Sequence, residues 1–334
     1  MKYIYYLLGF LALLLLAYIG LCWIGPKNFD TVSNTSINAP APVVFNLVNS
    51  IEQSNRWNQW VREDTAMIIT MNDISSGVGA GSKWESAATG NGSQKIIESV
   101  PNQSVKTELA FDGWDGVNYA EMNLAPEGSQ TNVSWTFESG APLPFLMRGG
   151  MMLSGMKGSM QKSYDKGLSN LKEIAEQRAN EGIYDGYAIK ELVLDEKNYV
   201  MNRQEVDISK IQQFYTTNLG ALFSKVQGAG VQMQGMPCGL FFAFDSNGSQ
   251  VDMAAAIPVD SPVNIDGAQS YQIPSKRAIQ VDYTGDHDLI LKAHDAISTY
   301  MLDKGYLKDL PYMEEHITDP KEVTRLTYYF SERG

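Results

Sequence analysis

The sequence predicts an α+β fold in three parts: an N-terminal transmembrane helix, a half built of antiparallel strands closed by one long helix, and a half with a duplicated βαββ pattern. Three observations predict it. Tyr3 to Ile24 is a run of 22 residues without a charge. Between Met67 and Glu138, short apolar or alternating runs are punctuated by glycine and asparagine, and helical spacing takes over from Phe145. Beyond residue 186, strand, helix, strand and strand signals occur twice in the same order. Antiparallel sheets with helices on one side are the α+β architecture.

At ~150 residues per domain, a chain of 334 residues makes about two domains, each able to bury its own core. With only two cysteines, a disulfide-rich module and an all-cysteine zinc site are excluded. The 29 glycines and 13 prolines are ordinary, which removes collagen-like and low-complexity classes. Lys and Arg number 26 against 38 Asp and Glu, for a net charge of −12. Phosphate binding needs clustered basic residues, so this balance predicts no nucleic-acid partner.

The first element is the apolar run. At about 1.5 Å per residue it spans the ~30 Å hydrocarbon core of a bilayer. A cleaved leader has an apolar stretch of only ~7–15 residues and a small-residue cleavage site. This run is longer and ends without such a site, so residues 1–27 are read as an uncleaved anchor through residues 3–24. Lys2 precedes the run, and Trp23 suits the interfacial aromatic belt at its far end. The expectation is a single-pass protein of a bacterial cell membrane, its soluble part on the periplasmic or extracellular side.

The first soluble half, residues 28–180, opens with Ser33 to Asn38, whose polar alternation suits an edge strand. Ala39-Pro-Ala-Pro42 breaks it, and a short helix starts at Val43, as proline in a first turn allows. Met67–Met71, Ser82–Ala88, Gln94–Val100, Ser104–Phe111, Val117–Ala125 and Thr131–Glu138 read as an antiparallel meander. The helical period runs from Phe145 to Arg178, with Leu168, Leu171, Ile174 and Ala175 on one face. This order resembles the SRPBCC superfamily, the START-like and polyketide cyclase-like domains. The motifs are I-x-A-P-x-x-V-V-F at 37–45, Trp57, and Lys166-Gly-Leu-x-x-Leu-Lys172. The resemblance implies a helix-grip fold: a curved sheet wrapped on the last helix, with an apolar cavity between.

A polar, acidic stretch from Glu176 to Gly186 separates the halves. The second, residues 186–334, repeats Ala188–Val200, Asp207–Gln227, Pro237–Phe244 and Gln250–Ile257 as Arg277–Tyr283, Asp288–Lys304, Tyr312–Asp319 and Val323–Phe330. Asp207 is a fair N-cap, and Gly305 a helix stop. Met236-Pro-Cys-Gly-Leu-Phe-Phe, Pro274-Ser-Lys-Arg-Ala, Tyr283-x-Gly, Lys304-Gly-Tyr and Glu314-x-His-x-x-Asp-Pro320 follow in order. This half resembles the GyrI-like effector-binding domain of multidrug-responsive regulators. His316 stands where a tyrosine is usual, and His287 where the tyrosine of a Gly-Pro-Tyr is usual.

Glu314 is the first candidate for chemistry. On a strand, Tyr312, Glu314 and His316 share one face and Glu315 points to the other. The resemblance implies that Glu314 faces a cleft. It matches the acid that contacts cationic drugs in effector-binding relatives, and in some enzymatic relatives a catalytic carboxylate of hydrolases. Tyr283, Phe242 and Tyr329 are placed beside it as an aromatic cage for a cation. With His316, Glu314 would make an acid/base pair.

Other features are weighed against plainer accounts. His287 and His294 lie seven apart, whereas metal pairs sit at i, i+4, and Asp286-His-Asp288 reads as a helix start. No metal and no cofactor is expected. Ser154-Gly-Met-Lys157 matches S-x-x-K without the partner motifs of that chemistry. Met147, Met151, Met152, Met156 and Met160 read as core, as a soft wall for an apolar ligand, or as thioethers for Cu(I), the last the least favoured, with Gly149, Gly150 and Gly155 loosening the segment. Trp57, Trp60, Trp84, Trp114 and Trp135 are core residues of which one or two would line a cavity.

The expected function is binding of a small hydrophobic or cationic molecule close to the membrane, for sensing, sequestration or transfer. The alternatives are a hydrolase or cyclase using Glu314 with His316, and a non-enzymatic envelope interaction protein.

Overall fold

The computed structural model describes residues 2–113, 116–245, 248–285, 289–317 and 323–332. Trp114, His287, Asp286, Asp288, Asp319 and Pro320, named above, lie outside the described residues. Contacts divide the chain into two units, Met1–Asn180 and Glu181–Gly334.

In the first unit, helix α1 (Lys2–Ile24) leads into strand β1 (Asp30–Ile37) and helices α2 (Ala41–Val48), α3 (Ile51–Trp57) and α4 (Gln59–Glu63). Strands β2 (Ile68–Met71), β3 (Gly81–Glu85), β4 (Gly92–Val100), β5 (Ser104–Phe111), β6 (Asn118–Glu127) and β7 (Gln130–Ser139) follow. Helices α5 (Phe145–Ser154) and α6 (Met156–Glu176) end the unit. Local chemistry explains the helix starts. Prolines lie in the first turn of α2, Ser50 accepts from the Gln53 amide at the start of α3, and Asn58 accepts from the Trp60 amide at the start of α4. The seven strands are antiparallel in the order β1-β7-β6-β5-β4-β3-β2.

The sheet closes on α6. Tyr164, Leu168, Leu171 and Ala175 form its buried stripe, packed with Ile37, Leu47, Trp57, Trp135 and Phe137. Truncating such a leucine to alanine costs about 2–5 kcal/mol. The helix expected from Phe145 to Arg178 is interrupted at Gly155, which takes φ +66, a left-handed conformation that glycine adopts without strain. Methionine spacings of four and five run across the break and hide it.

The second unit begins with a short ribbon, β8 (Ile183–Tyr184) and β9 (Tyr187–Ala188), then β10 (Lys190–Leu194) and β11 (Lys197–Asp207). Helix α7 (Ile211–Gly228), strands β12 (Cys238–Phe244), β13 (Gln250–Val259), β14 (Gln269–Ile273) and β15 (Lys276–Tyr283), helix α8 (Leu291–Lys304), and strands β16 (Tyr306–Ile317) and β17 (Val323–Glu332) complete it. The eight-stranded sheet runs β10-β15-β17-β16-β12-β13-β11-β14. The duplication is visible in that order: β15-β17-β16 and β12-β13-β11 are mirror arrangements meeting at β16 and β12. The single strand expected over Ala188–Val200 is three, because β10 pairs with β15 near one edge of the sheet and β11 with β13 and β14 near the other.

Both faces of this sheet are buried. On one, Phe214, Leu222 and Val226 of α7 and Ala293, Ile297 and Met301 of α8 pack on Val281, Tyr312, Leu326 and Tyr328. On the other, Tyr199, Cys238, Leu240, Phe242, Met313 and Tyr329 form a separate cluster. Strands buried on both sides read as continuous apolar runs, as Cys238 to Phe244 does.

Candidate functional site

Two places gather chemistry, one in each unit. In the first, the sheet and helices α3, α4 and α6 enclose a cavity of about 600 Å³. Trp57, Trp60, Trp84 and Trp135 all line it, with Phe111 and Tyr164. These rings are seated by specific neighbours. Trp57 Nε1 donates to the Leu47 carbonyl at 2.9 Å. Trp135 stacks on Tyr164 with ring centroids 3.9 Å apart, and Gly167 leaves room for it, since a Cβ there would stand 2.8 Å from the Trp135 ring. The buried Asn170 amide donates to the Trp57 carbonyl at 3.1 Å and to Gln59 Oε1 at 3.0 Å, tying the α3–α4 corner to α6.

None of the described lining residues carries a charge. Polar lining comes from Ser, Thr, Asn and Gln, among them Asn55, Gln94 and Thr107. The Asn55 Oδ1 atom is buried and has no hydrogen-bond partner among the described residues. Burial pushes the Tyr164 phenol well above its ordinary pKa, so it stays neutral. Burying an unpaired charge is costly, so this cavity suits a neutral, mainly apolar molecule, and Asn55, once its side chain turns inward, offers an acceptor to one N–H or O–H. Met156 and Met160 line the cavity from the first turns of α6. Met156 is 46% exposed, which puts it at the rim.

The second place surrounds Glu314. Strand β16 pairs with β12 so that Glu314 lies opposite Gly239 and Tyr312 opposite Phe241, and with β17 so that Glu314 lies opposite Leu326. Phe241, Tyr312 and Tyr328 stack, with centroids 4.7 and 4.8 Å apart. From α8, His294 Nε2 reaches Glu314 Oε1 at 3.2 Å, and its Nδ1 lies 2.7 Å from the Tyr328 hydroxyl. Burial, and next the Glu314 charge, push the Tyr328 phenol up, so it remains a donor. With Tyr328 donating to Nδ1, a neutral imidazole keeps Nε2–H to donate to Glu314. From α7, Tyr215 packs over Gly239. The Lys308 ammonium rests 4.2 Å from the Tyr312 ring centroid and 4.3 Å from that of Tyr328. The residue as a whole is exposed, but partial burial of the ammonium pushes its pKa down to about 8.

The structure brings together some of the residues expected here and separates others. Tyr312 and Glu314 share the face covered by α7 and α8, and Tyr283 lies on that face two positions from Val281, against Tyr187. Phe242 and Tyr329 belong to the opposite face. Register is the reason: Phe241, not Phe242, lies opposite Tyr312, and Tyr328 stacks on that same ring. Phe242 instead packs under the Arg203 guanidinium at 3.7 Å, and Tyr329 joins Tyr199, Cys238 and Met313. His316 is on the exposed end of β16, its Nδ1 3.3 Å from Thr324 Oγ1. The imidazole in contact with Glu314 is that of His294, which takes the place given to His316. Its signal in the sequence was its spacing, four after Ile290 and three before Ile297, on the apolar face of α8. Glu315, on the other face, is the more buried of the two acids and lies 3.9 Å from Lys197.

Among the described residues, no group of three or more His, Cys, Asp or Glu side chains is placed to hold a metal ion. Ser154 is spent locally: its hydroxyl donates to the Met151 carbonyl and accepts from the Met156 amide.

Residues 30–176 match the family described as polyketide cyclase / dehydrase and lipid transport. Several solved structures match part of the chain. The C-terminal domain of EcmrR is 18% identical, over 44% of this chain and 99% of that one, with a TM-score of 0.39. A protein from Chromobacterium violaceum is 16% identical, over 44% and 97%, with a TM-score of 0.34. EcmrR in a complex with DNA is 16% identical, over 57% and 72%, with a TM-score of 0.40. No curated protein matches the chain. The class defined is an α+β protein with curled antiparallel sheets and an N-terminal apolar helix, whose family match is associated with small-molecule binding. Helix α1 has the length and composition to cross a membrane, features shared by anchors and leader sequences.

Proposed function

We propose that this chain is a membrane-anchored small-molecule-binding protein whose first unit takes up a neutral, largely apolar ligand for sequestration or transfer. The uncharged cavity of about 600 Å³ carries this reading. Pockets for ligands of drug size have this volume and this balance of apolar wall with a few polar groups. Helix α1 anchors the chain in the bilayer, residues 28–180 form the ligand-holding domain, and residues 186–334 a second ligand-binding domain. With Lys2 at the start of α1 and Trp23 at its end, the soluble part faces the periplasm or exterior.

The test uses the full chain in lipid nanodiscs and N-phenyl-1-naphthylamine, a neutral aromatic with one N–H. Energy transfer from the cavity tryptophans reports its binding. Ala120 lines the cavity, and Ala120→Trp fills it. Saturable transfer in the wild type that is lost in this variant, with the unfolding transition retained, is the expected outcome. Equal transfer in both proteins would sink the proposal.

A second reading concerns the Glu314 site, and the position of Lys308 favours it. An ammonium already rests on the Tyr312–Tyr328 stack, and Glu314 lies two residues along the strand from Tyr312, on the same face. Faces of this kind attract cations. The second unit then binds an organic cation, with Glu314 supplying the charge and Tyr215, Tyr312, Tyr328 and Phe241 the walls. Binding of tetraphenylphosphonium that is lost in Glu314→Gln tests it; unchanged binding would count against it.

A further inference from the structure

Helix α5 presents an apolar surface that the unit does not cover. Leu146 is 63% and Leu153 67% exposed, and Met147, Met152 and Phe145 are exposed as well. Its covered side packs on the end of α1. The Tyr18 hydroxyl donates to the Leu146 carbonyl at 2.7 Å, the Cys22 thiol points to the same carbonyl, and Trp23 meets Phe145 edge-on with centroids 5.9 Å apart. Close approach is needed there. A Cβ on Gly149 would stand 2.8 Å from Cys22 Sγ, and one on Gly25 would stand 2.8 Å from the Arg148 Cβ.

We infer that α5 is a bilayer-interface helix: docked on the last turns of α1, its exposed apolar side chains lie in the outer layer of the membrane that α1 crosses, and they set the cavity rim against the lipid. This rests on the anchor and cavity readings proposed above and names the source of the ligand, a molecule dissolved in that bilayer. The depth agrees. Tyr18 lies six residues before Ile24, which at about 1.5 Å per residue is ~9 Å below the end of α1, and interfacial helices sink ~5–10 Å. The charge pattern agrees as well. In a chain of net charge −12, Lys27 follows α1, Arg148 lies within α5, and Lys157 and Lys162 lie on the first turns of α6 just after it, where anionic headgroups would meet them. Uncovered apolar area of this kind marks an interaction surface, and here it continues the exposed apolar surface of α1. Gly155 then turns the chain directly from α5 into the rim residues Met156 and Met160.

Nitroxide labels on the full chain, reconstituted in vesicles of phosphatidylcholine with phosphatidylglycerol, test this. One label goes on α1 (Leu13→Cys), one on α5 (Leu153→Cys) and one on the β6–β7 turn (Glu127→Cys). That turn lies at the far end of β1, whose eight residues carry it ~26 Å from the end of α1 at about 3.3 Å per residue. Accessibility to oxygen, relative to a water-soluble nickel chelate, reads depth. The expected result is a ratio several-fold higher at positions 13 and 153 than at 127. A high ratio at 13 with a water-like ratio at 153 overturns the inference and leaves the anchor standing. A water-like ratio at 13 overturns both. Neither result depends on whether the cavity binds N-phenyl-1-naphthylamine, so failure of the cavity reading shows separately.

Discussion

The Tyr215 hydroxyl occupies the space that a side chain at position 239 would fill: a Cβ built on Gly239 would stand 1.8 Å from it. Because Gly239 lies opposite Glu314 in the sheet, this contact sets the distance of α7 from the carboxylate.

Gly239→Ala therefore forces Tyr215 off the sheet. Overpacking of this kind costs about 1–3 kcal/mol. Urea unfolding should show that loss, and tetraphenylphosphonium binding should weaken with it. In a Tyr215→Ala background the same substitution should cost less, because the closest collision is gone and only the Phe241 ring, 2.9 Å from the built Cβ, remains to shift. Equal costs in the two backgrounds would remove the contact from the account.

Lys308 is an internal occupant of the aromatic stack, and its titration gives a signed prediction. Burial of its ammonium end lowers the folded pKa from 10.5 to about 8. Between those values the unfolded chain holds the extra proton, so this residue's contribution to stability rises with pH across the window. Below pH 8 both states are charged, and the unfavourable contribution is fully present. Lys308→Met removes the dependence, so the stability difference between variant and wild type should shift in favour of the wild type as pH rises from 7 to 9.5. Tetraphenylphosphonium should bind Lys308→Met more tightly than wild type at pH 7, and the gap should close toward pH 9.5. A gap that stays constant would mean that Lys308 does not compete for the stack.

How far the sequence shows these sites depends on which geometric fact each needs. The expectation of a sheet wrapped on a helix put one or two tryptophans at a cavity, whereas four, Trp57, Trp60, Trp84 and Trp135, line it, because strands and short helices converge on the same space. Tyr312 and Glu314 needed only alternation within one strand. Phe242 and Tyr329 needed register between strands, which alternation does not supply, and Leu240-Phe-Phe is apolar on both faces, so it conceals its own parity. His294 needed the packing of α8 on β16 and β17. The docking of α5 on α1 is a tertiary contact that no local pattern encodes.

Asn55 tests the polarity of the first cavity. Its Oδ1 is a buried acceptor without a partner among the described residues. A ligand N–H that meets it when the Asn55 side chain turns into the cavity gains a neutral hydrogen bond, a net contribution of about 0.5–1.5 kcal/mol. Asn55→Val should therefore weaken N-phenyl-1-naphthylamine about 2–10-fold. A purely aromatic probe without a donor should bind the two proteins alike. If both probes weaken equally, Asn55 shapes the wall instead of pairing with the ligand.

The two faces of the second sheet make the last prediction, and the strands themselves provide the controls. Phe241 and Phe242 are neighbours in sequence, as are Tyr328 and Tyr329, yet each pair divides between the helix-covered face and the opposite one. Phe241→Leu and Tyr328→Leu remove walls of the Glu314 site, and Tyr328→Leu also takes the partner of His294 Nδ1. Phe242→Leu and Tyr329→Leu remove comparable area from the other face. Core substitutions of this size destabilise by similar amounts, so unfolding alone would not separate them. Isothermal titration with tetraphenylphosphonium on the folded proteins would. Affinity should fall in the first pair and hold in the second. A loss in Phe242→Leu or Tyr329→Leu with none in Phe241→Leu or Tyr328→Leu would move the cation to the face of Glu315, beside Lys197, and refute the assignment to Glu314.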